Sequence, residues 1–201
     1  MTRHELRTAR RQLNRHLQHQ HAIQVQQRLS RHHWWLSAQH IAVYWPTDGE
    51  LDPRPLLQHA HLHGKTCYLP VLKPQQTRWG RGKLWFARYR PGDRLQPNRF
   101  GIPEPSSREL RLPWQLDLIL LPLVGFDADA HRLGMGGGFY DRTLAPLQSR
   151  HSGRRPHLIG IAHECQRMAG IVPKLWDIPL DAVVSECRIY PRKSPAAMTL
   201  L

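Results

Sequence analysis

A glycine-rich segment at residues 132–141 holds the residues of this chain that are best suited to bind phosphate. It follows the longest apolar stretch of the sequence, Leu118 to Phe126, and reads Arg132-Leu-Gly-Met-Gly-Gly-Gly-Phe-Tyr-Asp141. Glycines let the backbone approach a ligand and point successive N–H groups into one concavity, and a following helix N-terminus adds partial positive charge. Asp141 is a candidate ligand for the Mg²⁺ that accompanies a nucleoside triphosphate.

The spacing of these glycines alone leaves two interpretations open. It matches neither G-x-x-x-x-G-K-[ST] nor G-x-G-x-x-G, the patterns in which spacing itself predicts a phosphate site. The segment is therefore either a phosphate-binding turn or a tight strand-to-helix turn that binds no ligand.

Glu50 lies in a second candidate turn, Asp48-Gly-Glu50, after the β-prone run Ile41 to Trp45. It is either a solvated turn residue or an acceptor for the N–H groups of a heterocyclic ligand, with Trp45 as a stacking wall. Three further aromatic residues are candidates to extend that wall: Trp85, Phe100 and Phe139.

Asp181 immediately precedes a predicted strand, Ala182 to Ser185. An aspartate beside a strand end is either a turn residue or, where the chain folds it close to a second carboxylate, a metal ligand. We therefore treat Asp181 as a metal candidate only in combination with Asp141.

The first thirty residues alternate leucine, isoleucine and valine with Arg, Gln and His at nearly helical spacing, which predicts a basic helix over 3–31. Arg3, Arg7 and Arg11 are four residues apart and share one face of that helix, where like charges repel one another. This face is either solvated or a docking site for an anion.

The composition favours an anionic partner. The 201 residues include 29 Lys plus Arg and 15 Asp plus Glu, so the net charge is +14. Three isolated cysteines cannot pair completely, no apolar stretch approaches the roughly 18 residues of a membrane span, and no signal segment opens the chain. We expect a cytoplasmic protein. No H-E-x-x-H or G-x-S-x-G pattern occurs, so neither a zinc site nor an acyl-enzyme serine is expected.

Predicted strands alternate with helical patterns along the chain, which is typical of an α/β protein with a largely parallel sheet. In such sheets, ligands bind beyond the carboxyl ends of the strands. We expect one domain over 1–201, with a variable loop at 73–83 and an irregular tail at 188–201. The turn-rich segment 97–113 carries no predicted strand.

The order of these motifs resembles that of the 5-formyltetrahydrofolate cyclo-ligase family, also called methenyltetrahydrofolate synthetases. The resemblance runs from Arg3 to about Ser185, and residues 132–141 are its most specific part. The other segments that carry it are Arg3-x-x-x-Arg7, Asp48-Gly-Glu-Leu-Asp52, Tyr68-Leu-Pro-Val71, Gly101-Ile-Pro-Glu-Pro105 and Trp176-Asp-Ile-Pro-Leu-Asp181.

The resemblance implies an ATP- and Mg²⁺-dependent ligase that converts 5-formyltetrahydrofolate to 5,10-methenyltetrahydrofolate and releases ADP and phosphate. It implies a three-layer α/β/α fold similar to that of the sugar-phosphate isomerase and CoA-transferase group. The expected partners are a nucleotide and a reduced folate, without a membrane, and the expected state is a monomer. The alternatives are a basic nucleic-acid-binding protein and a family member that binds folate without turnover.

The resemblance implies roles by motif position. Arg3 and Arg7 would contact ATP, and Asp141 and Asp181 would hold the metal ion. Trp45 and Glu50 would line the pterin pocket. The nucleotide turn comprises Arg132, Leu133, Gly134, Met135, Gly136, Gly137, Gly138, Phe139 and Tyr140, and its residues Met135, Gly136, Gly137, Gly138 and Phe139 also border the folate. Some family members carry basic residues inside this turn. Here Met135 and Gly137 stand instead, so Arg132 or Arg142 must substitute.

Overall fold

A computed structural model describes residues 1–72, 82–148 and 155–193 of the chain. Its helices are α1 (Arg3–Gln12), α2 (Arg15–Ser30), α3 (His33–Leu36), α4 (Arg54–Leu62) and α5 (Phe139–Leu144). Its strands are β1 (His40–Ala42), β2 (Thr66–Leu72), β3 (Leu84–Tyr89), β4 (Leu95–Pro97), β5 (Pro103–Pro105), β6 (Leu110–Arg111), β7 (Leu118–Pro122), β8 (Gly125–Phe126), β9 (Arg132–Leu133), β10 (His157–Ile161), β11 (Ala182–Val184) and β12 (Ile189–Pro191). Most of the predicted loop 73–83 and the tail from 194 onward lie outside the described residues.

The main sheet of the described chain has eight strands in the order β12-β11-β10-β7-β1-β2-β3-β6. The five central strands, from β11 to β2, are parallel, and the edge strands β12, β3 and β6 are antiparallel. The prediction of a largely parallel sheet is therefore confirmed. From β1 the chain moves to β2 on one side, whereas β7 and its successors lie on the other, so the topological switch point is between β1 and β7.

Both faces of the sheet are covered, which makes the fold three-layered. Leu118 and Leu120 of β7 pack with Val25, Leu29 and other residues of α2, α3 and α4, whereas Ile119 and Leu121 pack on the opposite side with Leu144 of α5. This explains why β7 is apolar along its whole length. No helix within the described ranges is long and apolar enough to cross a membrane.

The predicted single helix over 3–31 is two helices. Leu13, with ψ near 124°, ends α1, and Asn14 caps α2 by accepting the N–H of Leu17 on its side-chain oxygen at 2.9 Å. The apolar periodicity continues across this break, which is why periodicity alone does not reveal it.

The predicted tail 188–201 is wrong at its beginning. Ile189–Pro191 form β12, which pairs antiparallel with β11, and Tyr190 is buried against Phe126. Arg28 of α2 holds the preceding turn by donating to the carbonyls of Ser185 and Glu186 at 3.2 and 2.8 Å. The strand is only three residues long and ends in proline, so local sequence gives it little weight.

The turn-rich segment 97–113 also contains strands. β4 and β5 form a small antiparallel pair that packs on β2, and Glu104 fixes it by accepting hydrogen bonds from the backbone N–H of Leu72 at 2.9 Å and from the Asn98 side chain at 2.7 Å. Pairing with a partner close in sequence, rather than an apolar run, makes these short strands.

Candidate active site

The candidate site lies at the topological switch point, where loops leave the carboxyl ends of β1 and β7. Arg10 of α1 joins the two loops, because its Nε donates to the carbonyl of Asp48 at 2.8 Å and its Nη1 to the carbonyl of Leu123 at 3.1 Å. The Arg10 side chain is fully buried. A buried cation that satisfies carbonyls of both loops fixes α1 across this end of the sheet.

Asp48 is the anion that balances the arginines of α1. Its carboxylate accepts hydrogen bonds from Arg7 at 2.9 Å and from Arg10 at 3.0 Å, and it also pairs with Arg11. Burial alone would raise the pKa of Asp48, but the hydrogen bonds from Arg11, Arg7 and Arg10 outweigh it and lower the pKa to about 2. Asp48 is therefore ionised throughout the physiological pH range.

The turn at Asp48 depends on unusual backbone angles. Asp48 and Gly49 have φ values of +53° and +72°, in the left-handed region that glycine adopts without strain. A Cβ on Gly49 would lie 3.2 Å from the carbonyl oxygen of Arg10. The glycine thus lets this turn pack directly on the backbone of α1.

Glu50 is buried rather than solvated. Its carboxylate accepts the backbone N–H of Thr47 at 3.0 Å, and the nearer guanidinium nitrogen of Arg10 is 3.8 Å away. Burial raises the pKa of Glu50, and the partly compensating contributions of Thr47 and Arg10 do not cancel that rise. A buried carboxylate with one strong local donor is suited to accept N–H groups from a ligand.

The glycine-rich turn carries backbone angles that other residues rarely adopt. Gly136 and Gly138 have φ values of +94° and +62°, and Gly138 is the N-cap of α5, where no side chain caps the helix. The first N–H groups of α5 are thus available at the turn. Arg3 of α1 holds the start of the turn by donating to the Gly134 carbonyl at 3.0 Å.

Arg132 enters this turn with an incompletely satisfied guanidinium group. Its Nη2 pairs with Asp141, whereas its Nη1 is buried and has no hydrogen-bond partner among the described residues. The Arg132 side chain is 8% exposed. A buried cationic N–H without a partner is costly, and an anionic oxygen bound beside it would remove that cost.

Arg142 lies on the other side of the turn, and carbonyl groups satisfy it. It donates to the carbonyls of Gly137 at 2.7 Å and Gly82 at 3.1 Å. A Cβ on Gly138 would lie 2.7 Å from Nη1 of Arg142, so the guanidinium lies directly against the turn. Arg142 supports the shape of the turn.

Tyr140 connects the glycine-rich turn to the Glu50 side of the site. It is a residue of α5, and burial raises the pKa of its hydroxyl, with a further rise from Glu50 and a smaller opposing effect of Arg132. These electrostatic neighbours lie on the two separate loops. The structure therefore brings Glu50, Tyr140 and Arg132 into one region.

Aromatic side chains lie at the edges of this region. Phe139 meets Phe100 edge to face with centroids 5.8 Å apart, and the exposed side chain of Phe100 belongs to the segment after β4. Trp45 packs edge to face on Tyr89 at 6.1 Å and carries the guanidinium of Arg54 5.7 Å from its ring centroid. The two pairs supply flat surfaces from separate parts of the chain, and Met135 is exposed in the turn.

Asp141 and Asp181 each have a backbone donor of their own. Asp141 accepts the N–H of Ile178 at 3.3 Å as well as its contact with Arg132, and Asp181 accepts the N–H of Leu158 at 2.8 Å, where β10 and β11 begin. The segment 178–181 links the two carboxylates through three peptide units. Their joint coordination of one metal ion stays a prediction.

Sequence reasoning missed Arg10 and Asp48 as the residues that hold the site together. The missed signal is that Arg10 lies four residues after Leu6, on the apolar face of α1, and both are fully buried. An arginine on an apolar helical face needs a buried acceptor. Asp48, in a loop after a buried strand, is that acceptor.

Comparison with known sequences shows which proteins this chain is similar to. The model of the 5-formyltetrahydrofolate cyclo-ligase family matches residues 1–186. The chain is 39% identical over 187 residues to the 5-formyltetrahydrofolate cyclo-ligase of Escherichia coli (strain K12), which covers 92% of this chain and 98% of that protein. It is 36% identical over 184 residues to the enzyme of the same name from Haemophilus influenzae, covering 89% of this chain and 94% of that protein.

A solved structure shows the same fold. The NMR structure of 5,10-methenyltetrahydrofolate synthetase from Aquifex aeolicus superposes with a TM-score of 0.79 at 26% identity, over 98% of this chain and 94% of that one. The family model spans nearly the whole chain, and these two relatives are 39% and 36% identical to it over about nine-tenths of its length. This protein therefore belongs to the 5-formyltetrahydrofolate cyclo-ligase family.

Proposed function

We propose that this protein converts 5-formyltetrahydrofolate to 5,10-methenyltetrahydrofolate and uses ATP with Mg²⁺ as the source of the leaving group. The observation that carries the proposal is Arg132. Its Nη1 is buried and has no partner in the part of the chain that the structure describes, and it lies at a glycine-rich turn beside the carboxylate of Asp141. That arrangement suits a triphosphate accompanied by a divalent cation.

The donor set at the turn fits the nucleotide. The Nη1 of Arg132 and the uncapped N–H groups at the start of α5 offer donors to phosphate oxygens, and Arg3 adds positive charge where it contacts Gly134. Asp141 would hold Mg²⁺. Asp181 precedes β11 and contacts the start of β10, so it lies toward the end of the sheet opposite the carboxyl ends of the strands, and its role as a second ligand stays a prediction. When bound there, Mg²⁺ would supply charge neutralisation for the transferring phosphoryl group.

The folate side of the site is the Glu50 loop. The buried carboxylate of Glu50 accepts pterin N–H groups, and Trp45 and Phe139 offer the flat surfaces that a planar ring needs. Both Glu50 and Arg132 influence the pKa of Tyr140, which supports their lying close to one another. In the proposed complex, the formyl group of a folate held by Glu50 faces the phosphate turn.

The proposed chemistry explains why no serine or cysteine nucleophile is needed. The formyl oxygen attacks the γ-phosphorus, ADP leaves, and the oxygen becomes part of a phosphate ester. N10 then attacks the formyl carbon and loses its proton, the five-membered ring closes, and the oxygen leaves as inorganic phosphate. Such phosphoryl transfer depends on positioning and charge neutralisation.

Arg132 is the better placed of the two arginines to stabilise the transferring group. The hydrogen bonds of Arg142 go to the carbonyls of Gly137 and Gly82, whereas Arg132 keeps a buried donor that no described residue satisfies. We also propose that the protein acts as a monomer.

The test is a spectrophotometric assay for methenyl absorbance with 5-formyltetrahydrofolate as substrate. We expect product only when ATP and Mg²⁺ are both present, with one ADP released per product. The variant Asp141→Asn should lose the Mg²⁺-dependent activity and keep its circular dichroism spectrum. Folate binding without any ATP-dependent product would contradict the proposal and favour a binding protein without turnover.

A further inference from the structure

Three potential metal ligands meet at a second place, on the α2 side of the carboxyl ends of β10 and β11. They are His21 of α2, His163 after β10 and Glu186 after β11. The Nδ1 atoms of His21 and His163 are 2.9 Å apart, and His21 Nδ1 is 3.4 Å from Oε1 of Glu186. One ligand atom from each residue lies within 4.8 Å of the others.

These distances match those of a coordination shell. Zinc bonds to nitrogen and oxygen are about 2.0–2.1 Å, so two ligands of a tetrahedral ion lie about 3.3 Å apart. The separations of 2.9 and 3.4 Å lie on either side of that value. The third separation, between the ligand atoms of His163 and Glu186, is at most 4.8 Å, so the three side chains would close further around a zinc ion as it binds.

His163 is held in a fixed position beside His21. The side chain is fully buried, its Nδ1 lies 2.9 Å from Nδ1 of His21, and the two ring centroids are 5.1 Å apart. A buried imidazole that already faces a second potential ligand needs little rearrangement to share a metal ion with it.

Glu186 is fixed from two sides. Its two carboxylate oxygens accept the backbone N–H of Glu164 at 3.1 and 2.9 Å. Arg28, which is two turns after His21 on α2, donates to the carbonyls of Ser185, Glu186 and Cys187. Such contacts hold a ligand in place before the metal arrives.

We propose that His21, His163 and Glu186 form a binding site for a zinc ion, separate from the proposed Mg²⁺ site. Two imidazoles and one carboxylate suit zinc, whereas Mg²⁺ prefers oxygen ligands alone. The positive charge of Arg10 opposes a cation here, and the carboxylates of Asp48, at 3.0 Å, and Glu50, at 3.8 Å, reduce that opposition. The bound ion would tie α2 to the loops after β10 and β11.

The sequence predicts no zinc site, because its histidines and cysteines form no zinc-binding pattern at short spacing. His21 and His163 are 142 positions apart, so only the fold brings them together. The same contacts without a metal would form a hydrogen-bonded chain from α2 to Glu186, and the experiment must distinguish the two.

The experiment uses the full chain without a histidine tag, equilibrated with zinc in an excess of Mg²⁺. We expect one tightly held zinc ion per chain by atomic absorption. The variants His21→Ala and Glu186→Gln should each lose more than about 100-fold in zinc affinity. The control is His63→Ala, which disrupts a different histidine pair, stacked with His59 at 4.0 Å, and should leave the affinity unchanged.

Cobalt substitution provides a second measurement on the same proteins. The wild-type chain should show the visible d–d absorption of low-coordinate Co²⁺, and His21→Ala should not, although its circular dichroism spectrum stays native. A wild-type chain that retains no zinc in excess Mg²⁺, or a His21→Ala variant that binds zinc as tightly as the wild type, would overturn the proposal.

Discussion

Arg132 and Arg142 flank the same turn but present their guanidinium groups differently. The substitution Arg132→Ala removes a buried donor that has no partner within residues 1–72, 82–148 and 155–193, and we expect kcat/KM to fall by about 100- to 1000-fold, as when a donor to developing charge is removed. Arg142→Ala removes a support of the turn and should leave kcat within about 10-fold of the wild type. Steady-state kinetics with saturating folate compare the two, and equal losses would contradict the assignment.

Glu50 predicts a pH dependence of folate binding. Its pKa is raised by burial, so the carboxylate becomes protonated at a higher pH than an ordinary glutamate with its value of 4.5. The ionised form accepts pterin N–H groups, and the protonated form does so less well. We therefore expect folate affinity to weaken as the pH falls, with a midpoint above 4.5.

Fluorescence titration of wild type and Glu50→Gln over this pH range checks the prediction. The variant should bind weakly and lack the Glu50 transition. A wild-type profile that matches the variant would show that another group carries the pH dependence.

At this scale, residue types alone identified most of the candidates but not their protonation states or partners. The carboxylate of Glu50 was a candidate from its turn, yet its burial depends on the packing of α1 and α5. The two readings of Asp181 could not be separated from sequence, because its contact with Leu158 joins residues 23 positions apart.

Helix α1 lies across the site, and Arg3 is its direct contact with the phosphate turn. We expect Arg3→Ala to weaken ATP binding by about 10-fold, the effect of losing one charged contact, and to leave folate binding unchanged. The matched control is Arg15→Ala, at the exposed start of α2. Isothermal titration with each ligand measures both, and an equal loss for ATP and folate would contradict a phosphate-specific role.

The Asp48 cluster predicts how α1 contributes to stability. Asp48→Asn removes the nearer of the two carboxylates beside the buried guanidinium of Arg10 and leaves only Glu50, 3.8 Å away, so we expect the free energy of unfolding near neutral pH to fall by about 2 kcal/mol. The pKa of Asp48 is lower in the folded state than its ordinary value of 3.8. Its contribution to the free energy of unfolding is therefore fully present above pH 3.8 and is lost as the pH falls toward 2.

Urea unfolding of both proteins at several pH values tests this dependence. The gap between wild type and Asp48→Asn should narrow as the pH falls through that interval. A gap that stays constant would show that the arginines of α1 do not depend on the charge of Asp48.

Element types followed from periodicity where an element buries a long apolar stripe or strand. Strand β3, Leu84–Tyr89, can be predicted from its sequence because apolar and polar residues alternate along it between turns. The strands β4, β5 and β12 are only three residues long and depend on pairing with a neighbouring strand, so the apolar pattern does not predict them. The break at Asn14 depends on a helix cap, which the apolar pattern does not predict either.

Across the whole molecule the net charge is +14, and some of the arginines that contribute to it are paired within the protein. Arg7, Arg10 and Arg11 converge on Asp48 instead of forming a free basic face. This arrangement favours a small anionic ligand at the switch point over a nucleic-acid surface. The fold class was predictable from the alternation of strands and helices, but the meeting of residues 10, 48, 123 and 132 required the strand order.

In the proposed complex, the turn from Arg132 to Asp141 binds a triphosphate opposite a folate held by Glu50. A crystal structure with a non-hydrolysable ATP analogue, Mg²⁺ and 5-formyltetrahydrofolate would show this arrangement. We predict phosphate oxygens on Nη1 of Arg132 and on the N–H groups of the turn, with the pterin on Glu50. A triphosphate bound elsewhere, with this turn empty or closed by its own side chains, would contradict the claim.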